Sequence, residues 1–158
     1  MMNIIEGVFF LLLFRKIWLE MKGILRAGRQ YINSELAPLN LSAAESELLF
    51  LLLTGSDKLQ QEQLAEQLDI GKAAVSRALS SLEEKGYVVR KRQPEDRRAY
   101  SVTLTEKAVK AGSEIKRAYQ QLHQRVKAGI PEEEFIRAEK LLARISENLQ
   151  AKEEENDP

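Results

Sequence analysis

Leu64-Ala65-Glu66-Gln67-Leu68-Asp69-Ile70-Gly71-Lys72-Ala73-Ala74-Val75-Ser76-Arg77-Ala78-Leu79 opens the stretch that decides the fold. It continues through Leu82-Glu83-Glu84-Lys85-Gly86-Tyr87-Val88-Val89-Arg90-Lys91-Arg92 and Glu95-Asp96-Arg97-Arg98, and closes on Val102-Thr103-Leu104-Thr105. In order, this predicts a short helix over 60–68, a turn at Asp69-Ile70-Gly71 and a second helix over 72–85. Gly86 stops that helix where a left-handed residue is wanted. Residues 87–92 and 99–104 have the β-branched, alternating character of paired strands, joined by a loop over 93–98. The result is one helix and one charged loop offered to the same partner. Duplex DNA has a groove for each.

Within the helix over 72–85, Val75, Leu79 and Leu82 recur at spacings of four and three and form an anchoring face. Ala73, Ser76, Arg77 and Ser80 follow i, i+3, i+4, i+7, so they share the opposite face, with Lys72 at its start. Small residues let a helix approach base edges, hydroxyls reach phosphates or bases, and Arg77 is suited to guanine or phosphate. Taken alone, such a face also describes an ordinary solvated helix. The hairpin shifts the balance. Arg90, Lys91 and Arg92 enter it, and Arg97 and Arg98 leave it, so five cations crowd nine positions. Glu95 and Asp96 offset only part of this charge. A basic loop beside a positive helix suits a duplex, with the loop in the neighbouring minor groove.

Working outward, residues 4–36 read as one long helix. Phe14, Trp18, Met21, Leu25, Gly28 and Ile32 give it one apolar stripe, and Ala37-Pro38 ends it. Val8 to Phe14 is apolar throughout but too short to span a bilayer, which takes about 20 apolar residues. No basic segment precedes it as in a signal peptide. The expectation is a helix buried in a protein core. Ser42 and Glu45 form a capping box for the next helix, which carries Leu48, Leu49, Leu51, Leu52 and Leu53 and breaks at Thr54-Gly55. Thr105 caps a further helix with a stripe of Val109, Gly112, Ile115, Tyr119, Leu122 and Val126. Pro131 starts the last helix, striped by Phe135, Ala138, Leu142, Ile145 and Leu149. The tail from Lys152 reads as disordered. The central unit can use only part of this apolar surface. Helices that cannot bury their faces at home bury them against a partner, and the simplest answer is a two-fold dimer.

The 158 residues carry 24 Lys/Arg against 24 Asp/Glu, so there is no generally basic coat. The signs are nonetheless uneven. Residues 71–98 hold eight Lys/Arg against four Asp/Glu, a balance of +4, whereas residues 131–158 hold four against nine, a balance of −5. The middle alone is matched to an anionic partner. Cysteine is absent, which removes disulfides, thiolate catalysis and thiol-based sensing and fits a reducing, cytoplasmic setting. His123 is the sole histidine and reads as a surface residue, so no metal site and no cofactor are expected. No nucleophile–base pair and no phosphate-cradling glycine loop occur, and Glu45 and Glu47, two apart on a helix, do not face each other. An enzyme is not expected.

Leu64-Ala65, Leu68, Ile70, Val75-Ser76-Arg77, Leu82-Glu83, Lys85-Gly86, Arg90, Asp96-Arg97-Arg98 and Leu104-Thr105-Glu106-Lys107 together resemble the MarR family of winged helix-turn-helix regulators. By motif the likeness covers residues 41–107, and by helix order the rest. Gln60 departs from a common capping Thr or Ser, and Asp69 stands where a Gly is common, a change the turn tolerates because Asp accepts the left-handed region. The apolar run before Arg15 is longer than the family leads one to expect. The resemblance implies a mainly α fold with a small β-wing: a dimerisation helix over 1–40, a DNA-binding winged helix-turn-helix over 41–105, dimerisation helices over 106–151 and an acidic tail over 152–158. It implies that the helix with Lys72, Ala73, Ser76, Arg77 and Ser80 reads the major groove. Arg98 would reach the minor groove from a wing of Arg90, Lys91, Arg92, Asp96, Arg97 and Arg98, with Asp96 holding the wing arginines. It further implies a homodimer on a pseudo-palindromic operator, acting as a repressor relieved by a small organic ligand. Trp18, Arg26 and Tyr31 are the candidates for lining that ligand's pocket, against a competing reading as core packing plus a surface arginine. The alternative function is a winged-helix protein-interaction module that does not bind DNA.

Overall fold

The computed structural model describes residues 4–55, 64–65, 68, 71–92 and 100–154. Its elements are α1 (Ile4–Glu35), a 3₁₀ turn (Ala37–Leu39), α2 (Ala43–Thr54), α3 (Lys72–Glu84), β1 (Val88–Arg92), β2 (Tyr100–Leu104), α4 (Glu106–Lys127) and α5 (Glu132–Glu154). Most of the helix expected over 60–68, with Gln60 and Asp69, lies outside the described residues; Leu64, Ala65 and Leu68 are helical. The fold is mainly α with one small antiparallel sheet. The chain divides into two compact units, residues 1–122 and 123–158.

In the first unit α2 is central because it is apolar on every side. Leu48, Leu49 and Leu52 are buried, and Phe50, Leu51 and Leu53 pack half-buried around the same core. Ser42 caps α2 as expected: its hydroxyl accepts from the Glu45 amide at 3.3 Å, and the Glu45 carboxylate accepts from the Ser42 amide at 2.7 Å. Asn33 ties the elbow before α2 by accepting from the Ala43 amide at 2.6 Å. On the far side Gly112 admits α4, since a Cβ there would stand 3.1 Å from Leu53 Cδ2. Tyr119 stacks on Phe50 with centroids 4.5 Å apart, and its hydroxyl lies 3.3 Å from Ser46 Oγ. Burial pushes the Tyr119 phenol up to about 12, against the Ser46 contact and with the Glu47 charge.

The face of α4 differs from the expected stripe. Ala108, Ala111, Gly112, Ile115 and Ala118 are buried, whereas Val109 is 63% exposed. Three alanines let α4 approach closely, and their small side chains carried little weight against Val109 in the sequence pattern.

The apolar run on α1 also departs from expectation. Val8 to Leu13 are between 43% and 67% exposed, not buried within the chain. From Val8 to Ile32 the helix rises roughly 36 Å. The core reaches only its C-terminal part, where Ile32 is buried and Tyr31 half-buried. In the second unit, α5 likewise shows Phe135, Ile136, Leu141, Leu142 and Leu149 to solvent, with Ile145 half-buried. Among the described residues, no helix is long and apolar enough to cross a membrane.

Candidate nucleic-acid interface

The turn after α3 sets the site. Gly86 takes φ +75, the left-handed conformation expected of it. The Tyr87 amide donates back to Leu82 at 2.8 Å, closing the helix. Tyr87 is buried and its hydroxyl donates to the Leu39 carbonyl at 2.8 Å; burial, with the Glu114 and Glu45 charges, raises its pKa above the usual phenol value. The Thr105 hydroxyl bonds the Gly86 and Tyr87 carbonyls at 2.8 and 3.1 Å, and accepts from the Ala108 amide. Lys107 Nζ donates to the Lys85 carbonyl at 2.7 Å and sits 4.3 Å from the Tyr87 ring centre. The two short motifs, Lys85-Gly86-Tyr87 and Thr105-Glu106-Lys107, are therefore one knot that fixes the end of α3 against the start of α4.

α3 meets the core through Val75, Leu79 and Leu82, all fully buried. Lys72, Ala73 and Arg77 are exposed on the other side, with Ser76 and Ser80 half-buried beside them. From Ala73 to Ser80 the helix rises roughly 10 Å, about three base-pair steps. Gly71 caps the helix without a side-chain hydrogen bond. The face is thus narrow, positive and unobstructed by large side chains, the shape a major groove about 12 Å wide accepts.

The hairpin pairs Val88 with Leu104, Arg90 with Val102 and Arg92 with Tyr100. Alternation places Arg90 on the face of buried Val88 and Val102, and Lys91 on the exposed face. Arg90 is accordingly turned toward α3. Its amide donates to Glu83 Oε1 at 3.0 Å and its Nε to Glu83 Oε2 at 2.8 Å, with Nη2 at 2.7 Å. Those Arg90 hydrogen bonds hold the Glu83 carboxyl below its ordinary value. Lys91 is exposed. Arg92 ends β1, and Asp96, Arg97 and Arg98 lie outside the described residues.

The other sequence candidates separate. Trp18, Arg26 and Tyr31 lie along α1, with Trp18 and Tyr31 roughly 20 Å apart and on different sides of the helix. Trp18 packs against Phe14 at 6.2 Å and under Lys22 at 5.7 Å, Arg26 is exposed, and the Tyr31 hydroxyl donates to Gln121 Oε1 at 3.4 Å. Within one chain they do not converge on a pocket. His123 is exposed, and among the described residues no acidic or histidine cluster could hold a metal.

Residues 39–99, which hold α2, α3 and the first strand, match the sequence model of the MarR family. Over this segment the chain is similar to the MarR family. Solved MarR-type structures share the fold across most of the chain. A MarR transcriptional regulator from Methanosarcina mazei Go1 is 27% identical with a TM-score of 0.72, over 87% of this chain and 98% of that one. A MarR-family regulator from Listeria monocytogenes, solved with a 26mer DNA, is 24% identical with a TM-score of 0.73, over 84% and 87%. An organohalide-sensing regulator bound to 2,4-dichlorophenol is 20% identical with a TM-score of 0.74, over 86% and 80%. The chain has the fold of MarR-type transcriptional regulators.

Proposed function

We propose that this protein is a homodimeric, sequence-specific DNA-binding regulator that acts as a repressor and is released by a small organic ligand. The observation that carries the reading is the outer face of α3, where Ala73, Ser76, Arg77 and Ser80 stand opposite a fully buried anchor. In this reading Lys72, Lys91, Arg92 and Arg97 neutralise phosphates, Ser76 and Arg77 read bases, and Arg98 enters the minor groove. Residues 1–40 and 106–151 form the dimer. The exposed apolar faces on α1 and, separately, on α5 support that assignment, because patches of this kind mark association surfaces. The DNA complex of the Listeria relative supports the partner. The dichlorophenol complex of the organohalide-sensing neighbour supports an aromatic ligand class.

Selection of bound duplexes from a random pool at near-physiological salt tests the proposal. A pseudo-palindromic site with half-sites about one helical turn apart is expected. Weak, salt-sensitive binding with no enriched sequence favours the protein-interaction module instead. On the selected site Arg77→Ala is expected to cost about 1–3 kcal/mol if its guanidinium pairs with a base. Titration of wild type and variant on the operator and on random duplex checks this, since equal losses on both would assign Arg77 to phosphate.

A further inference from the structure

Apolar packing sets how far α3 stands from the core, but it is non-directional and sets roll about the helix axis only weakly. Roll matters here, because a recognition side chain works only within about 10–20° of its productive geometry. Two ion-paired contacts supply the missing direction. On one flank, Ser81 in the last turn of α3 and Lys85, the residue that caps its end, both donate to Glu45 of α2. Ser81 Oγ lies 2.6 Å from Glu45 Oε1, and Lys85 Nζ lies 2.8 and 2.9 Å from the two carboxylate oxygens. Lys85 Nζ also donates to the Asn40 carbonyl at 2.8 Å. Glu45 is only 5% exposed, and its carboxylate is further fixed by the Ser42 amide. On the other flank, Glu83 holds Arg90 of the hairpin. At 100° per residue, Ser81 and Lys85 lie about 80–120° to one side of Ala73, and Glu83 about 80° to the other. The base-facing side of α3 therefore lies between two directional ties.

We propose that Glu45 and Arg90 are positioning residues for DNA reading: they brace α3 from opposite flanks and set the roll that presents Ser76 and Arg77. The inference rests on the DNA-reading proposal above and reassigns Arg90, which a sequence reading counts among the wing's DNA contacts.

The test uses the full chain, the operator recovered by selection and a scrambled duplex of equal length, titrated between 50 and 200 mM salt as in standard salt-slope measurements. Glu45→Gln, Glu83→Gln and Arg90→Met are compared with wild type, each checked for folding by circular dichroism. All three are expected to lose about tenfold or more on the operator, the size of one misread base pair, with scrambled-duplex affinity and salt slope unchanged. Glu83→Gln is the sharpest, because it removes an anion from a part-exposed flank and a simple charge argument says binding should tighten. The proposal is overturned if Arg90→Met weakens both duplexes alike and flattens the salt slope by about one, the mark of a lost phosphate contact. It is equally overturned if folded Glu45→Gln and Glu83→Gln bind the operator as wild type does. A wild-type chain that selects no operator removes the DNA-reading proposal and this inference together, and that outcome is distinct from failure of the variants alone.

Discussion

Leu79→Ala is expected to lower stability by about 2–5 kcal/mol, the range for removing a fully buried leucine when the surroundings relax only in part. Leu79 is the middle of the three residues by which α3 grips the core, with Val75 and Leu82 a turn to either side, and all three are fully buried. Against a total of about 5–15 kcal/mol for a typical domain, that is a substantial share. In a chain of this size it corresponds to a fall in melting temperature of about 4–20 °C. Thermal unfolding followed by circular dichroism checks it. Arg77→Ala is the matching control: it lies on the exposed face of the same helix and is expected to move stability by no more than about 0.5 kcal/mol. A small effect of Leu79→Ala would mean that α3 is not held by its apolar face.

Glu45→Ala has the second largest expected effect, about 2–4 kcal/mol at neutral pH. Removing one partner of a buried ion pair costs about 3–5 kcal/mol; the lower figure allows for Lys85, whose side chain is 26% exposed and can turn to water. The pH dependence has a definite sign. Burial raises the Glu45 carboxyl's affinity for protons, but the hydrogen bonds from Lys85, Ser81 and Ser42 outweigh it, and the net shift is downward from 4.5. A carboxyl lowered in the folded state contributes its full stabilisation above its unfolded value and loses it as pH falls through the folded one. The gap between wild type and Glu45→Ala should therefore be widest near neutrality and narrow as pH falls below 4.5. Urea unfolding across that range measures it, and a gap independent of pH would show that the pair is not ionised.

The elements and the exposed face of α3 were legible because they rest on local rules. The Ser42–Glu45 capping box is a four-residue signal, Gly86 is a one-residue signal, and the exposed face of α3 follows from helical period. What stayed hidden was tertiary. Glu45 was visible as a cap, but its bonds to Ser81 and Lys85 cross 36 and 40 residues. Arg90 looked like one more cation in a basic loop. Its inward direction follows from strand alternation with Val88, a signal that charge alone does not carry. The α4 face was misjudged at Val109 because three alanines and a glycine make a close-packed surface with little hydrophobic signal. The run from Val8 was placed in a core because length and polarity exclude a membrane span, yet neither says whether one chain can cover it. Trp18, Arg26 and Tyr31 share a chemistry suited to an aromatic ligand, and within one chain they stand apart along α1.

Trp18 gives the chain a spectroscopic property of its own. It is the only tryptophan among 158 residues, it stands 42% exposed on α1, and Lys22 lies over its ring. Emission excited at the red edge of absorption therefore comes from one indole, at the boundary between water and the apolar run that precedes it. A partner that covers this part of α1 must change the polarity around that ring. Its emission maximum is consequently an intrinsic, label-free gauge of whether the surface is covered, readable on dilution without touching the face of α3.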